Sequence, residues 1–201
     1  KPFLRKEIYQ CKKNENTTLE KEKKILILGG SQGAKFIDEF ISKIIVKVAK
    51  NQNIKVLQQA INQQSISHIK NLYHKNHIKH ELFEFDDKIL TKAVNYDLAI
   101  TRSGASTISE LSYLNIPFIA IPFPYAKDNH QYYNAKYYEK NKCCWLIMQK
   151  DINENNFTDL LTKIFEDSSE YLSKKKNLKE FSDENTWDKN KLKLKQLING
   201  N

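Results

Sequence analysis

Residues 97–135, DLAITRSGASTISELSYLNIPFIAIPFPYAKDNHQYYNA, decide the fold of this chain. Asp97–Ile100 reads as a short buried strand. Arg102-Ser103-Gly104-Ala105-Ser106-Thr107 then turns into a helix carrying Glu110, and Pro117–Pro122 returns as a second strand. After Pro122-Phe123-Pro124 a short polar loop leads to a further helix, with Asp128 or Asn129 as its expected cap and His130 and Gln131 in its first turn. Strand, small-residue turn, helix, strand is the grammar of a parallel sheet, and ligands of open α/β sheets collect at the carboxyl ends of such strands.

Working outward, the same grammar recurs. Ile25–Leu28 is a continuous apolar run that stops at Gly29-Gly30, as a strand buried on both faces does. From Ala34 the period changes, with Phe36/Ile37, Phe40/Ile41, Ile44/Ile45 and Val48/Ala49 recurring every four residues as in an amphipathic helix. Ile54–Leu57 is a second strand, 62–76 a polar helix-compatible segment, and Ile78–Phe85 a third strand. Asp86-Asp87 is expected to cap a helix that ends near Asn95. Strand four is Leu98–Ile100, strand five Phe118–Ile121 and strand six Cys144–Met148, with helices near 105–114 and 129–140. The expected fold class is therefore α/β, a Rossmann-like doubly wound parallel sheet with right-handed crossovers.

Residues 1–22 are polar and irregular and read as a linker. The domain proper spans 23–168. Residues 169–201 form a charged helical extension whose apolar residues (Leu172, Leu178, Phe181, Trp187, Leu192, Leu194, Leu197, Ile198) show no core-facing stripe, so it either packs late on the domain edge or crosses to a partner. At 201 residues and 40% hydrophobic content, one core is the expectation. The chain begins with Lys where an initiator Met would stand, which suggests a piece of something larger.

Three cysteines give neither a disulfide framework nor a zinc spacing, which fits a reducing cytoplasm. No apolar run approaches a membrane span, and residues 1–22 lack the apolar core of a signal peptide. The formal charge of +9 and pI near 9.2 favour anionic partners. Yet the lysines spread along every segment, where a nucleic-acid site concentrates them on one face, so a compositional habit explains them as well.

Three turns carry the candidate chemistry. Gly29-Gly30-Ser31-Gln32-Gly33-Ala34 joins the first strand to a helix, where glycines let the backbone approach a ligand and the helix start attracts phosphate. It lacks the glycine spacing of a dinucleotide fingerprint and the Gly-Lys-Ser/Thr of a P-loop, and a tight turn without ligand spells the same way. In the second turn, Ser103 to Glu110, phosphate would sit on the N–H groups near Ser106 and Thr107. Glu110 there has two readings: a bidentate acceptor for ribose hydroxyls, or the last member of a capping box, Thr107-x-x-Glu110. In the third, His130 and Gln131 at a helix start suit sugar hydroxyls, or are simply surface residues. No Ser/His/Asp order or His-x-x-x-His metal spacing competes.

Taken together, Gly29-Gly30-Ser31-Gln32-Gly33-Ala34, Arg102-Ser103-Gly104-Ala105-x-Thr107-x-x-Glu110, Pro117, Ile121-Pro122 and Asp128-x-His130-Gln131-x-x-Asn134-Ala135 resemble the C-terminal half of the MurG-type transferases, glycosyltransferase family 28. The likeness covers roughly residues 20–165. It implies the C-terminal half of a two-domain GT-B glycosyltransferase, with 23–168 as the part that binds UDP-N-acetylglucosamine. In that family N-acetylglucosamine is transferred, with inversion, to the undecaprenyl-linked muramoyl-pentapeptide called lipid I, giving lipid II for peptidoglycan.

By resemblance, Ser31 meets the diphosphate, and Gln32 and Gly33 belong to the UDP-N-acetylglucosamine site. Ala105, Ser106, Thr107, Ile108 and Ser109 contact phosphate and sugar through their backbone. Glu110 meets the ribose, Gln131 with His130 and Asn134 the N-acetylglucosamine hydroxyls, and the main chain of Phe85 and Asp86 the uracil. Asp86 stands where an apolar residue is usual and Ser106 where a larger one is common.

The family's acceptor-binding domain, with the expected catalytic base, has no counterpart in these residues, so this half is expected to be inactive alone. No cofactor or metal is expected. The expected partners are UDP-N-acetylglucosamine, lipid I through the other domain and an anionic membrane surface at the cytoplasmic face of the bacterial inner membrane, with roles in cell wall biogenesis, cell shape and division. Two alternatives remain open at this point: a stand-alone donor subunit of a dolichol- or polyprenol-linked transferase, and a basic nucleic-acid-binding module.

Overall fold

The structure, a computed structural model, describes residues 4–30, 35–183, 191–192, 195–196 and 198. Six strands form one sheet: β1 (Lys23–Leu28), β2 (Ile54–Gln59), β3 (Lys79–Phe83), β4 (Leu98–Thr101), β5 (Phe118–Ala120) and β6 (Cys144–Leu146). Their order is β3-β2-β1-β4-β5-β6, and every neighbouring pair is parallel. The chain thus winds outward in one direction from β1 and in the other from β4, and the switch lies between those two strands. This is the expected doubly wound α/β sheet.

The helices are α1 (Lys6–Tyr9), α2 (Ser42–Ala49), α3 (Gln63–Lys75), α4 (Ile89–Ala93), α5 (Ala105–Tyr113), α6 (His130–Lys140), α7 (Glu154–Glu166) and α8 (Ser168–Asp183), with a π-helical turn at Ile37–Ile41 leading into α2. They cover both faces of the sheet. One core, with Ile25, Ile27, Val56, Leu98 and Ile100, packs against Ile41, Ile44, Ile45, Phe157 and Leu161. The other, with Leu26, Leu28, Ala99 and Phe118, packs against Ile108, Leu111, Ala135 and Tyr138. Burial on both faces is why β1 and β4 read as unbroken apolar runs rather than alternating ones.

Four local expectations are corrected. The first turn of the four-residue pattern after β1 is π-helical, and it places Asp38 inside the protein, where its carboxylate accepts from Ile61 N at 2.9 Å. Asp86 does not cap α4, whose N-cap is Lys88; it folds back to accept from Lys88 N at 2.8 Å. Asn129 occupies the N-cap position of α6 but makes no side-chain cap bond, because it and Asp128 both stand in the left-handed region at φ 52°.

The fourth concerns α8, which does have an inward stripe. Tyr171, Lys175, Leu178 and Ser182 are buried, at spacings of four, three and four. Polar Lys175 and Ser182 hide that stripe from a hydrophobicity reading. Lys175 Nζ donates to Asn14 Oδ1 at 2.7 Å and Tyr171 Oη to the Asp97 carbonyl at 3.0 Å.

Residues 4–22 are likewise anchored to the domain. Leu4 and Ile8 are buried in the second core, and Asn14 Nδ2 donates to the carbonyls of Val94 and Tyr96. Among the described residues no helix is long and apolar enough to cross a membrane.

Candidate functional site

Because all six strands are parallel, the three candidate turns leave one edge of the sheet, from the adjacent strands β1, β4 and β5. Contacts join them. Gly30, at the end of β1, has φ +76°, which an L side chain rarely adopts, and a Cβ there would lie 3.6 Å from Arg102 Cβ at the end of β4. Arg102 Nη1 in turn donates to the carbonyls of Ile121 and Pro122, both at 3.2 Å, where β5 ends. Asn134 Nδ2 ties α6 to the Ser103 carbonyl at 3.1 Å. On the other side Gln59 links the ends of β1 and β3, accepting from Gly30 N at 3.2 Å and donating to the Glu84 carbonyl at 3.0 Å.

Helix α5 begins at Ala105 after Gly104, and the first backbone bond back to Gly104 comes from Ile108 N at 3.2 Å. The N–H groups of Ala105, Ser106 and Thr107 therefore lie at the orphan end of the helix, where anions are favoured. Ile108 N–H is engaged within the helix, and Ser109 Oγ bonds Tyr138 Oη at 3.0 Å, so these two expected contact residues face the second core. Gly104 is the N-cap rather than Thr107, which removes the capping-box reading of Glu110.

Glu110 is engaged by a residue the sequence did not single out. Arg5 Nε donates to Oε1 at 2.8 Å and Nη2 to Oε2 at 3.0 Å, while Nη1 reaches the Asp87 carbonyl at 2.9 Å. The hydrogen bond to Glu110 is the main cause pushing the Arg5 pKa up.

Arg102 opens the second turn in the sequence but was given no role there. It is 6% exposed, its Nη2 donates to Gln149 Oε1 at 2.7 Å, its Nε has no partner, and it lies between the Phe36 and Phe123 rings at 5.8 and 5.5 Å. Burial pulls its pKa down to about 10, so it remains a cation at neutral pH. Ser103 Oγ beside it is buried without a partner among the described residues. A signal for both arginines was present: the chain has 33 Lys and Arg, of which only Arg5 and Arg102 are Arg. In a lysine-rich chain the exceptions mark places where a planar fork does what an ammonium cannot.

At the start of α6, Gln131 Oε1 accepts from Phe123 N at 3.0 Å, which holds the loop after β5 against the helix. His130 Nδ1 lies 2.7 Å from the Lys127 carbonyl. A carbonyl only accepts, so Nδ1 is the donor in this contact. Phe85 is exposed, and Asp86, its pKa lowered chiefly by the Lys88 N–H, also pairs with Lys92 at 3.2 Å. Ser31, Gln32 and Gly33 lie outside the described residues. Among the described residues no three His, Cys, Asp or Glu side chains gather as a metal site. Burial pushes the Cys144 thiol up to about 12, which removes it as a nucleophile.

Comparison with known proteins shows the family and the fold. Residues 24–188 match the glycosyltransferase family 28 C-terminal domain. The chain is 43% identical over 199 residues to the UDP-N-acetylglucosamine–N-acetylmuramyl-(pentapeptide) pyrophosphoryl-undecaprenol N-acetylglucosamine transferase of Pelagibacter ubique, covering 99% of this chain and 55% of that protein. It is 41% identical over 162 residues to the transferase of the same name from Rickettsia bellii, covering 76% and 45%. The chain thus spans about half the length of the curated relatives it matches. In fold it is similar to the crystal structure of Acinetobacter baumannii MurG, with a TM-score of 0.74 at 23% identity over 86% of this chain and 50% of that one. The C-terminal CMP-Kdo binding domain of WaaA from Acinetobacter baumannii, at 8% identity, has a TM-score of 0.58 over 87% of this chain and 95% of that one.

Proposed function

The chain belongs to the glycosyltransferase family 28 C-terminal domain family, and from that membership we propose that it is the donor-binding half of an inverting hexosyltransferase. The donor is UDP-N-acetylglucosamine, and the acceptor, lipid I, is held by the rest of the transferase, which supplies the base. The product is lipid II at the cytoplasmic face of the bacterial inner membrane, where the whole enzyme sits peripherally. One observation carries the reading: the carboxyl ends of β1, β4 and β5 stand side by side, with an anion-attracting helix start and the carboxylate of Glu110 on the same helix.

In this reading the ribose hydroxyls meet Glu110, and the main chain at Phe85 and Asp86 meets the uracil. As the acceptor hydroxyl attacks the anomeric carbon, negative charge grows on the departing diphosphate. The N–H groups of Ala105, Ser106 and Thr107 and the buried charge of Arg102 stabilise that growing charge from a fixed position, so no reorganisation is needed as the bond breaks. The reading gives this charge to helix starts without a metal. Gln131, His130 Nε2 and Asn134 address the sugar, and Ser31 the diphosphate.

Calorimetric titration of UDP-N-acetylglucosamine into the chain tests this. Glu110→Ala is expected to weaken binding by about tenfold or more, the range for hydrogen bonds to a charged group. Equal binding by both proteins would return Glu110 to a purely structural pairing with Arg5.

A further inference from the structure

Gln59 is the last residue of β2, and in the order β3-β2-β1 that strand stands between the other two. The last backbone pairings at this edge are Ile27 with Gln58 and Gln59 with Phe83. Beyond them a side chain takes over from the ladder. A carboxamide accepts at its oxygen and donates at its nitrogen, and Gln59 uses both ends: Oε1 accepts from Gly30 N at 3.2 Å, and Nε2 donates to the Glu84 carbonyl at 3.0 Å. One bond holds the turn after β1, where Gly30 stands at φ +76°. The other holds the turn after β3, immediately before Phe85 and Asp86. The first bond also occupies the Gly30 N–H, so that group is not among the donors left for a phosphate.

We propose that Gln59 is a positioning residue that fixes the spacing between the turn after β1 and the turn after β3, so that one nucleoside diphosphate engages both at once. The inference rests on the donor reading above. A ligand that spans two turns binds better when they already stand at the right separation, because ordering them then costs nothing at the moment of binding. A ligand that meets one turn alone gains little. The residue type follows from the partners, which are one N–H and one carbonyl: an ionised glutamate accepts but cannot donate, and a lysine donates but cannot accept.

Titration of UDP, uridine and pyrophosphate into the full chain, Gln59→Met and Gln59→Asn provides the test, with circular dichroism as the check on folding. Met matches the length of Gln without either bond, and Asn keeps the amide but is one carbon short of bridging both turns. In each variant UDP binding is expected to weaken by about tenfold, within the range of two neutral hydrogen bonds. Uridine and pyrophosphate, which each meet one turn, are expected to stay within about twofold of their affinity for the unmodified chain. Using two variants keeps the comparison readable if one fails to fold. In a folded variant, unchanged UDP affinity, or equal losses for all three ligands, overturns the role of Gln59 and leaves the donor reading standing. Failure of the unmodified chain to bind UDP at all overturns both.

Discussion

The two ends of the sheet each bury a cation, and they treat it differently. At the amino end Lys175 is 5% exposed and bonded to Asn14, which also accepts from Asn16 N and donates to Val94 and Tyr96; Tyr171 bonds the Asp97 carbonyl, and the Asp97 carboxylate takes Lys24 N. Asn115 Nδ2 joins this network by donating to the Asn14 carbonyl at 3.0 Å, and Asn115 Oδ1 is its one buried side-chain atom without a partner among the described residues. At the carboxyl end, among the described residues, Arg102 keeps an unpartnered Nε, Ser103 an unpartnered hydroxyl, and α5 its first N–H groups. Closed networks specify where a helix docks. Polar groups held in place but not fully satisfied are what a ligand can complete.

That contrast is best broken by moving one residue at a time. Tyr171→Ala removes a fully buried ring and its hydrogen bond from the amino end. It is expected to cost about 3–5 kcal/mol in urea unfolding, while UDP affinity at a temperature where the variant is folded stays unchanged. A stability loss below about 1 kcal/mol would mean that α8 is only loosely docked.

Arg102→Met at the carboxyl end is expected to do the reverse. It weakens UDP binding by at least about tenfold, the loss of about 1.4 kcal/mol or more of charge attraction. Stability falls by less than about 2 kcal/mol, since the lost bonds are to two carbonyls and an amide. Uridine, which carries no phosphate, is the control; a loss as large as that of UDP would make Arg102 a packing residue.

Lys175→Met sharpens the comparison through pH. Burial lowers the Lys175 pKa to about 8 in the folded protein, against 10.5 for an ordinary lysine. Between those values the unfolded chain binds the extra proton and the folded chain does not, so this group adds stability as pH rises from about 8 towards 10.5. Tyrosines whose pKa burial raises act oppositely at the top of that range. The measurable quantity is therefore the stability of the unmodified chain minus that of Lys175→Met, which is expected to grow with pH; a flat difference would place Lys175 in water.

The smallest effect is expected at Phe85, whose side chain is 82% exposed. Phe85→Ala should change stability by less than about 0.5 kcal/mol and, because the proposed uracil contact uses main chain, leave UDP affinity within about twofold. A larger loss would show that the ring itself stacks on the base.

The sequence by itself determined the alternation of strand and helix, and with it the parallel sheet and the three turns at one edge. Apolar runs at 25–28 and 98–100, the four-residue period from 36 to 49 and small residues at 103–107 are local signals, readable within a few residues. Even the family likeness lived in those turns. Only the tertiary structure decided what each polar group meets. Glu110 spells a capping box locally, yet a guanidinium 105 residues away takes both of its oxygens. The face of α8 looks unpatterned until Asn14 and Asp97 supply the partners of Lys175 and Tyr171. Hydrophobic periodicity records which side of an element is dry. A buried polar group is instead stabilised by a particular partner at bonding distance, and that partner is fixed only when distant segments pack.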